Sequence, residues 1–153
     1  MKSLFDPAVA QDVRQRIQRL RPDSARQWGK MTLPQTLAHC TSSIQMALGT
    51  INPKRVSFPV SLLGRLIKPL VLRGDTPMRR NSPSVPELFA ADPTQSSFEQ
   101  ERADLIAALD AFAGGGAAGC SQHPHPFFGR LKPQEWATLS YKHLDHHLRQ
   151  FGV

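Results

Sequence analysis

The stretch from Pro133 to Phe151 reads PQEWATLSYKHLDHHLRQF. Pro133 suits a first helical turn, and the apolar spacing predicts a helix over about residues 133–150. A helical wheel at about 100° per residue, with Trp136 at zero, sorts its side chains. Ala137, Leu144, Leu148 and Phe151 fall at roughly 60° to 120°, and Leu139 at roughly 300°. Thr138, Lys142, Asp145 and Arg149 take the opposite arc, at roughly 180° to 240°. His143 and His147 fall at roughly 340° and 20°, inside the apolar arc, while His146 lies on its border at roughly 280°. Two imidazoles one turn apart therefore point side by side into a core.

Outward from this helix, every other long periodic segment has the same 3.6-residue spacing. Asp6-Pro7 opens a first helix, with Ala10, Val13, Ile17 and Leu20 on one side and Arg21-Pro22 as its stop. Asp6 suits the N-cap position and Pro7 the first turn. Thr32 to Gln35 reads as a capping box before a second helix of about residues 33–48, closed by Gly49. No residue from Met31 to Pro53 is charged. A helix without a charged face is expected to be enclosed on most of its circumference. A third long helix is predicted over about residues 94–112, stopped by Gly114-Gly115-Gly116. Between the second and third lies a proline-rich connection, residues 52–93. It holds a short amphipathic helix near 60–72 and loops such as Asn81-Ser82-Pro83. Strand patterns and internal repeats are absent. The reading is all-α: a four-helix bundle with one long crossover between helices two and three, formed by one domain over residues 1–153.

Composition bounds the function. The chain has 153 residues, 40% hydrophobic and 20% charged, an ordinary globular balance. Disordered, collagen-like and disulfide-scaffold chains are excluded. No signal-peptide pattern is seen, and no apolar run is long enough to span a bilayer. A soluble, cytoplasmic protein is expected, with Cys40 and Cys120 as free thiols. The formal net charge is +7. Most of it comes from residues 54–80, where Lys54, Arg55, Arg65, Lys68, Arg73, Arg79 and Arg80 face Asp75 alone. Such a segment is either a solvated connection or an attractor for an anionic ligand. Nucleic acid is not an expected partner, because no stacking module or zinc-finger spacing accompanies the charge.

The candidate chemistry is metal ligation. The i, i+4 pair His143 and His147 has the spacing that lets two rings hold one ion. The H-E-x-x-H glutamate is missing, so protease chemistry is not implied. The competing reading is a pair of core histidines satisfied by hydrogen bonds. A third ligand must come from elsewhere in the bundle. His39 is the candidate, with His123 and His125 in the His123-Pro124-His125-Pro126 loop as rivals. Cys40 lies roughly 100° round the helix from His39, so the two cannot readily share an ion. Gln35 and Gln150 each lie one turn from a candidate ligand, where outer partners of a metal-bound histidine would sit.

One histidine in helix two followed by H-x-x-H-H near the end of the last helix resembles the DinB-like superfamily of metalloenzymes. The likeness is closer to an uncharacterised branch of it. That branch shows segments like Leu4-Phe5-Asp6-Pro7, Trp28-Gly29-Lys30-Met31, Leu37-Ala38-His39-Cys40, His125-Pro126-Phe127-Phe128-Gly129 and His143 to Phe151. The resemblance implies a four-helix bundle holding one divalent metal on three histidines, which map onto His39, His143 and His147. Characterised relatives in the superfamily include transferases and isomerases that use a low-molecular-weight thiol as cosubstrate. The expected function is therefore a metal-dependent enzyme acting on a small molecule, with zinc or nickel as the ion. Arg65, Lys68, Arg79 and Arg80 are expected to hold an anionic ligand, and His125 to serve as acid or base. A metal-assisted hydrolase and a non-catalytic anion-binding stress protein are the alternatives. A homodimer is compatible with each.

Overall fold

The computed structural model describes residues 1–74, 76–80 and 97–153. Among these residues the regular elements are helices. They are α1 (Pro7–Arg19), α2 (Leu33–Leu48), α3 (Val60–Leu72), α4 (Phe98–Gly115) and α5 (Pro133–Gln150), with a 3₁₀ turn at Gly116–Gly119. The only β pairing among them is one isolated bridge, His125 with Gly129.

The helix starts follow the sequence signals. The Asp6 carboxylate accepts from the Ala8 amide at 2.9 Å, with Pro7 in the first turn. Thr32 and Gln35 form the reciprocal capping box: the Thr32 amide donates to Gln35 Oε1 at 2.9 Å and the Gln35 amide to Thr32 Oγ1 at 3.3 Å. Gly49 ends α2 in the left-handed region at φ 79°, where a side chain would be strained. The short helix expected near residues 60–72 is α3. The third long helix departs from its predicted bounds. Ser97 caps α4 by accepting from the Gln100 amide, and residues 94–96 lie outside the described residues, as does Asn81-Ser82-Pro83. At its other end α4 continues through Gly114 and Gly115, since glycine can take helical dihedrals although it loses more backbone entropy there than other residues. The break comes at Gly116, with φ 54° and ψ −149°.

Helices α1, α2, α4 and α5 pack in a ring: α1 on α4 and α5, and α2 on α4 and α5. Val13 and Ile17 of α1, Leu37 and Ile44 of α2, Leu105, Leu109 and Phe112 of α4, and Trp136 and Leu144 of α5 share one buried core. Helix α3 lies outside the ring against α5, over a second small cluster of Leu72, Phe128 and Leu139. The enclosure expected for the uncharged α2 is observed, with Thr36 to Cys40 all buried.

Helix α5 is more enclosed than its wheel indicates. Thr138, Lys142 and Asp145, on the arc opposite the apolar one, are also buried. Each charge is compensated. Arg16 of α1 donates to Asp145 Oδ1 at 2.9 Å, and Arg149 pairs with Asp145 Oδ2 at 2.9 Å. Lys142 Nζ donates to the carbonyls of Val71, Arg73 and Thr76 at 2.8, 3.2 and 3.3 Å. Those bonds tie the end of α3, and the chain just after it, onto α5.

Candidate metal centre

His39 in α2 and His143 and His147 in α5 meet between the two helices. Their potential ligand nitrogens all lie within 4.8 Å of one another. His39 Nε2 and His143 Nε2 are 3.0 Å apart. The ring centroids are 4.9 Å apart for His39 and His143, 5.0 Å for His39 and His147, and 4.7 Å for His143 and His147. His39 and His147 are buried and His143 is half-buried.

The local fold explains the convergence. Helix α2 has no charged side chain to turn toward solvent, so the His39 face is pressed onto α5. On α5, residues i and i+4 stack one turn apart, and the Arg16–Asp145 pair fixes which way the helix is rotated. Gln150 then fixes His147. The His147 Nδ1–H donates to Gln150 Oε1 at 2.9 Å, which leaves the lone pair on Nε2. Gln150 Nε2 in turn donates to the Trp28 carbonyl at 2.8 Å. Gly29 makes room for this contact: it has φ 82°, and a Cβ there would stand 2.4 Å from Gln150 Nε2. Gln35, the other glutamine one turn from a ligand, is used in the α2 capping box.

Burial keeps the two α5 rings uncharged. The His147 imidazole is pushed down to about 3, first by burial and then by the charge His39 would carry. His143 is held well below the ordinary imidazole value by burial and by His147 and His39 beside it. Neutral imidazoles carry the lone pair that a metal requires. Nitrogen donors about 2.0–2.1 Å from zinc stand roughly 3.3 Å apart in a tetrahedron. That spacing falls between the 3.0 Å contact and the 4.8 Å limit of the cluster. The three histidines fit one divalent ion in both donor chemistry and spacing. The Nδ1 atom of His143 is enclosed without a hydrogen-bond partner among the described residues.

The other expected residues are dispersed. His146 is half-buried, edge-on to Trp28 at 5.8 Å between centroids. Arg80 lies over the same indole, 4.1 Å from its centroid. Burial lowers the His146 pKa; the Met78 backbone and Asp145 oppose this, and Arg80 adds to it. Of the four expected cations, Arg80 is thus the one placed against Trp28 and near His146. Lys68 pairs with Glu135 at 3.1 Å and donates to the Arg130 carbonyl. Arg65 lies against Gly129, and Arg79 is exposed.

His125 has a structural task. Its Nδ1 accepts from the amides of Phe127 and Phe128 at 3.1 and 3.2 Å, and its backbone pairs with Gly129. Burial lowers its pKa to about 4. The proton of the neutral ring must then sit on Nε2. His123 is exposed. Cys40 and Cys120 are free thiols, as expected, and burial raises the pKa of both.

Sequence reasoning missed Trp28 as the rim of the site and Lys142 as the anchor of α3. Trp28 stands in a loop without periodicity, so only the adjacent Gly29 marked the spot. No helix in the described residues is long and apolar enough to cross a membrane. A family model described as "Protein of unknown function (DUF1569)" matches residues 5–152. No curated protein and no solved structure matches the chain.

Proposed function

We propose that this chain, which belongs to the DUF1569 family, binds one divalent metal ion through His39, His143 and His147 and acts as a metal-dependent enzyme. The observation that carries the reading is the convergence of three imidazoles from two helices, the two on α5 held neutral by burial. The Gln150 contact orients His147 for ligation. Three protein ligands leave coordination positions open, the mark of a catalytic rather than a structural site. The arrangement supports a DinB-like four-helix bundle, with one histidine from α2 and an i, i+4 pair from α5. Zinc and nickel both suit a nitrogen donor set.

The ion supplies Lewis-acid activation of a thiol or water at neutral pH. The chain supplies the surroundings. Arg80, held against Trp28, receives the carboxylate of a low-molecular-weight thiol. His125, with Nδ1 committed to two amides, acts through its Nε2–H as a hydrogen-bond donor rather than as a base. The test is elemental analysis of protein purified without a histidine tag, followed by zinc titration. One equivalent per chain is expected. His143→Ala and His147→Ala should each lose most of the affinity, and His146→Ala little. Loss in His146→Ala with retention in His147→Ala would overturn the ligand assignment. Unchanged binding in every variant would leave the histidines as core residues.

A further inference from the structure

Helix α3 is apolar on the side that faces away from the protein. At about 100° per residue, Leu62, Leu63, Leu66, Pro69 and Leu70 fall within a single arc, while Gly64, Ile67, Val71 and Leu72 face the rest of the protein, on α5 and the Phe127–Phe128 loop. Leu66 is 69% exposed and Leu70 75%, and Phe58 just before the helix is 77% exposed. Single exposed apolar residues need no explanation, but a contiguous row of leucines marks an interaction surface. The helix is also firmly seated. Gly64 packs so closely on the Phe127 carbonyl that a Cβ would meet it at 2.0 Å, and Lys142 holds the carbonyls at its end. The leucines are therefore held outward by the fold.

Charge surrounds this row. Lys54 and Arg55 precede Phe58, Arg65 borders the arc, and Arg73 follows the helix, all exposed. Asp75 is the only acidic residue between positions 54 and 80. We infer that the outward face of α3 docks on an anionic lipid surface, with the leucines and Phe58 entering the headgroup boundary and the flanking cations meeting lipid phosphates. Both elements of interfacial binding are present, a leucine-rich face and basic flanks. A second copy of the chain fits less well. A twofold contact through this face would set each patch against itself and bring like charges together.

Flotation with vesicles tests the inference. One set is phosphatidylcholine alone; the other contains phosphatidylglycerol at about one part in three. The unaltered protein should bind the anionic vesicles at least tenfold more tightly, and less tightly as salt is raised. Leu66→Asp with Leu70→Asp should weaken that binding at least tenfold. Both sites are exposed, so the fold should be retained. Lys54→Glu with Arg55→Glu should also weaken it, by a loss that vanishes at high salt. Metal content should be unchanged in both. The inference is overturned if the unaltered protein ignores anionic vesicles, or if the double aspartate variant binds them equally well. It is also overturned if sedimentation shows a dimer that the leucine substitutions dissociate and no vesicle binding.

Discussion

Gln150→Leu should weaken both the metal site and the fold, by amounts that two separate measurements read. Gln150 is 3% exposed and bridges His147 Nδ1 at 2.9 Å to the Trp28 carbonyl at 2.8 Å. Leucine has similar bulk but removes both bonds. It frees His147 to rotate or change tautomer, and it leaves the part-buried Trp28 carbonyl without its donor. Loss of such an outer partner costs about 10–100-fold in metal affinity, or roughly 1.4–2.8 kcal/mol. Stability should fall by about 1–3 kcal/mol for the stranded polar groups. Zinc titration against a competing chelator reads the first number, and urea unfolding of the metal-free protein the second. Gln150→Glu retains an acceptor for His147 and should recover much of the affinity. Gln35→Ala is the contrast: it breaks the α2 capping box, at about 1 kcal/mol of stability, and should leave zinc affinity unchanged. A folded Gln150→Leu protein that holds zinc as tightly as the unaltered chain would refute the role assigned to Gln150 and weaken the site reading.

Three further outcomes follow from the geometry. Gly64→Ala should lower stability by about 1–3 kcal/mol, because its Cβ would overlap the Phe127 carbonyl. Thermal unfolding would show this, against no such loss in Gly114→Ala, where a Cβ meets nothing within 4 Å. Metal-free protein should lose stability on acidification, since His125 titrates at about 4 when folded and near 6.5 when unfolded. Its contribution is intact above about pH 6.5 and falls by about 2 kcal/mol by pH 5. His125→Asn keeps an acceptor for the Phe127 and Phe128 amides and should remove His125's share of that slope in urea midpoints, the rest coming from His143 and His147; an unchanged slope would remove His125 as a contributor. Arg79→Glu with Arg80→Glu should weaken binding of glutathione to zinc-loaded protein by tenfold or more while metal content stays intact. Equal affinity by calorimetry would leave these arginines as a solvated connection.

The helices were legible in the sequence because their signals are local. Asp6-Pro7, the Thr32–Gln35 box and Gly49 each act within a turn, and each has the predicted role in the structure. The histidine cluster was legible in part. The i, i+4 spacing placed His143 and His147 on one face, and the uncharged run around His39 favoured its burial, but nothing on α2 alone showed what it would meet. What brings His39 to them is the packing of α2 on α5, a long-range property. The surroundings were less legible for the same reason. Lys68 looked like a free cation until Glu135 was placed beside it. Lys142 and Asp145 looked like a polar face until α3 and Arg16 covered them. His125 looked like a free acid or base until the loop folded its own amides onto Nδ1.

These long-range charges also explain why one helix can carry both the core and the candidate site. A helix that is apolar on one side could turn by a small angle and still bury its leucines. Helix α5 cannot, because Asp145 is held from one side by Arg16, while Lys142 is held from another by three carbonyls. A buried ion pair is weak evidence for stability, since its desolvation offsets much of its attraction. Its geometric consequence here is specific. Asp145 lies between His143 and His147 in sequence and opposite them on the wheel. Fixing the carboxylate toward α1 therefore turns both imidazoles toward His39 on α2. Gln150 then sets the tautomer of the last ring. Orientation of the helix and orientation of the ligand are thus handled by different residues, so Gln150→Leu should loosen the last ring while the rotation of α5 stays set by Asp145 and Lys142.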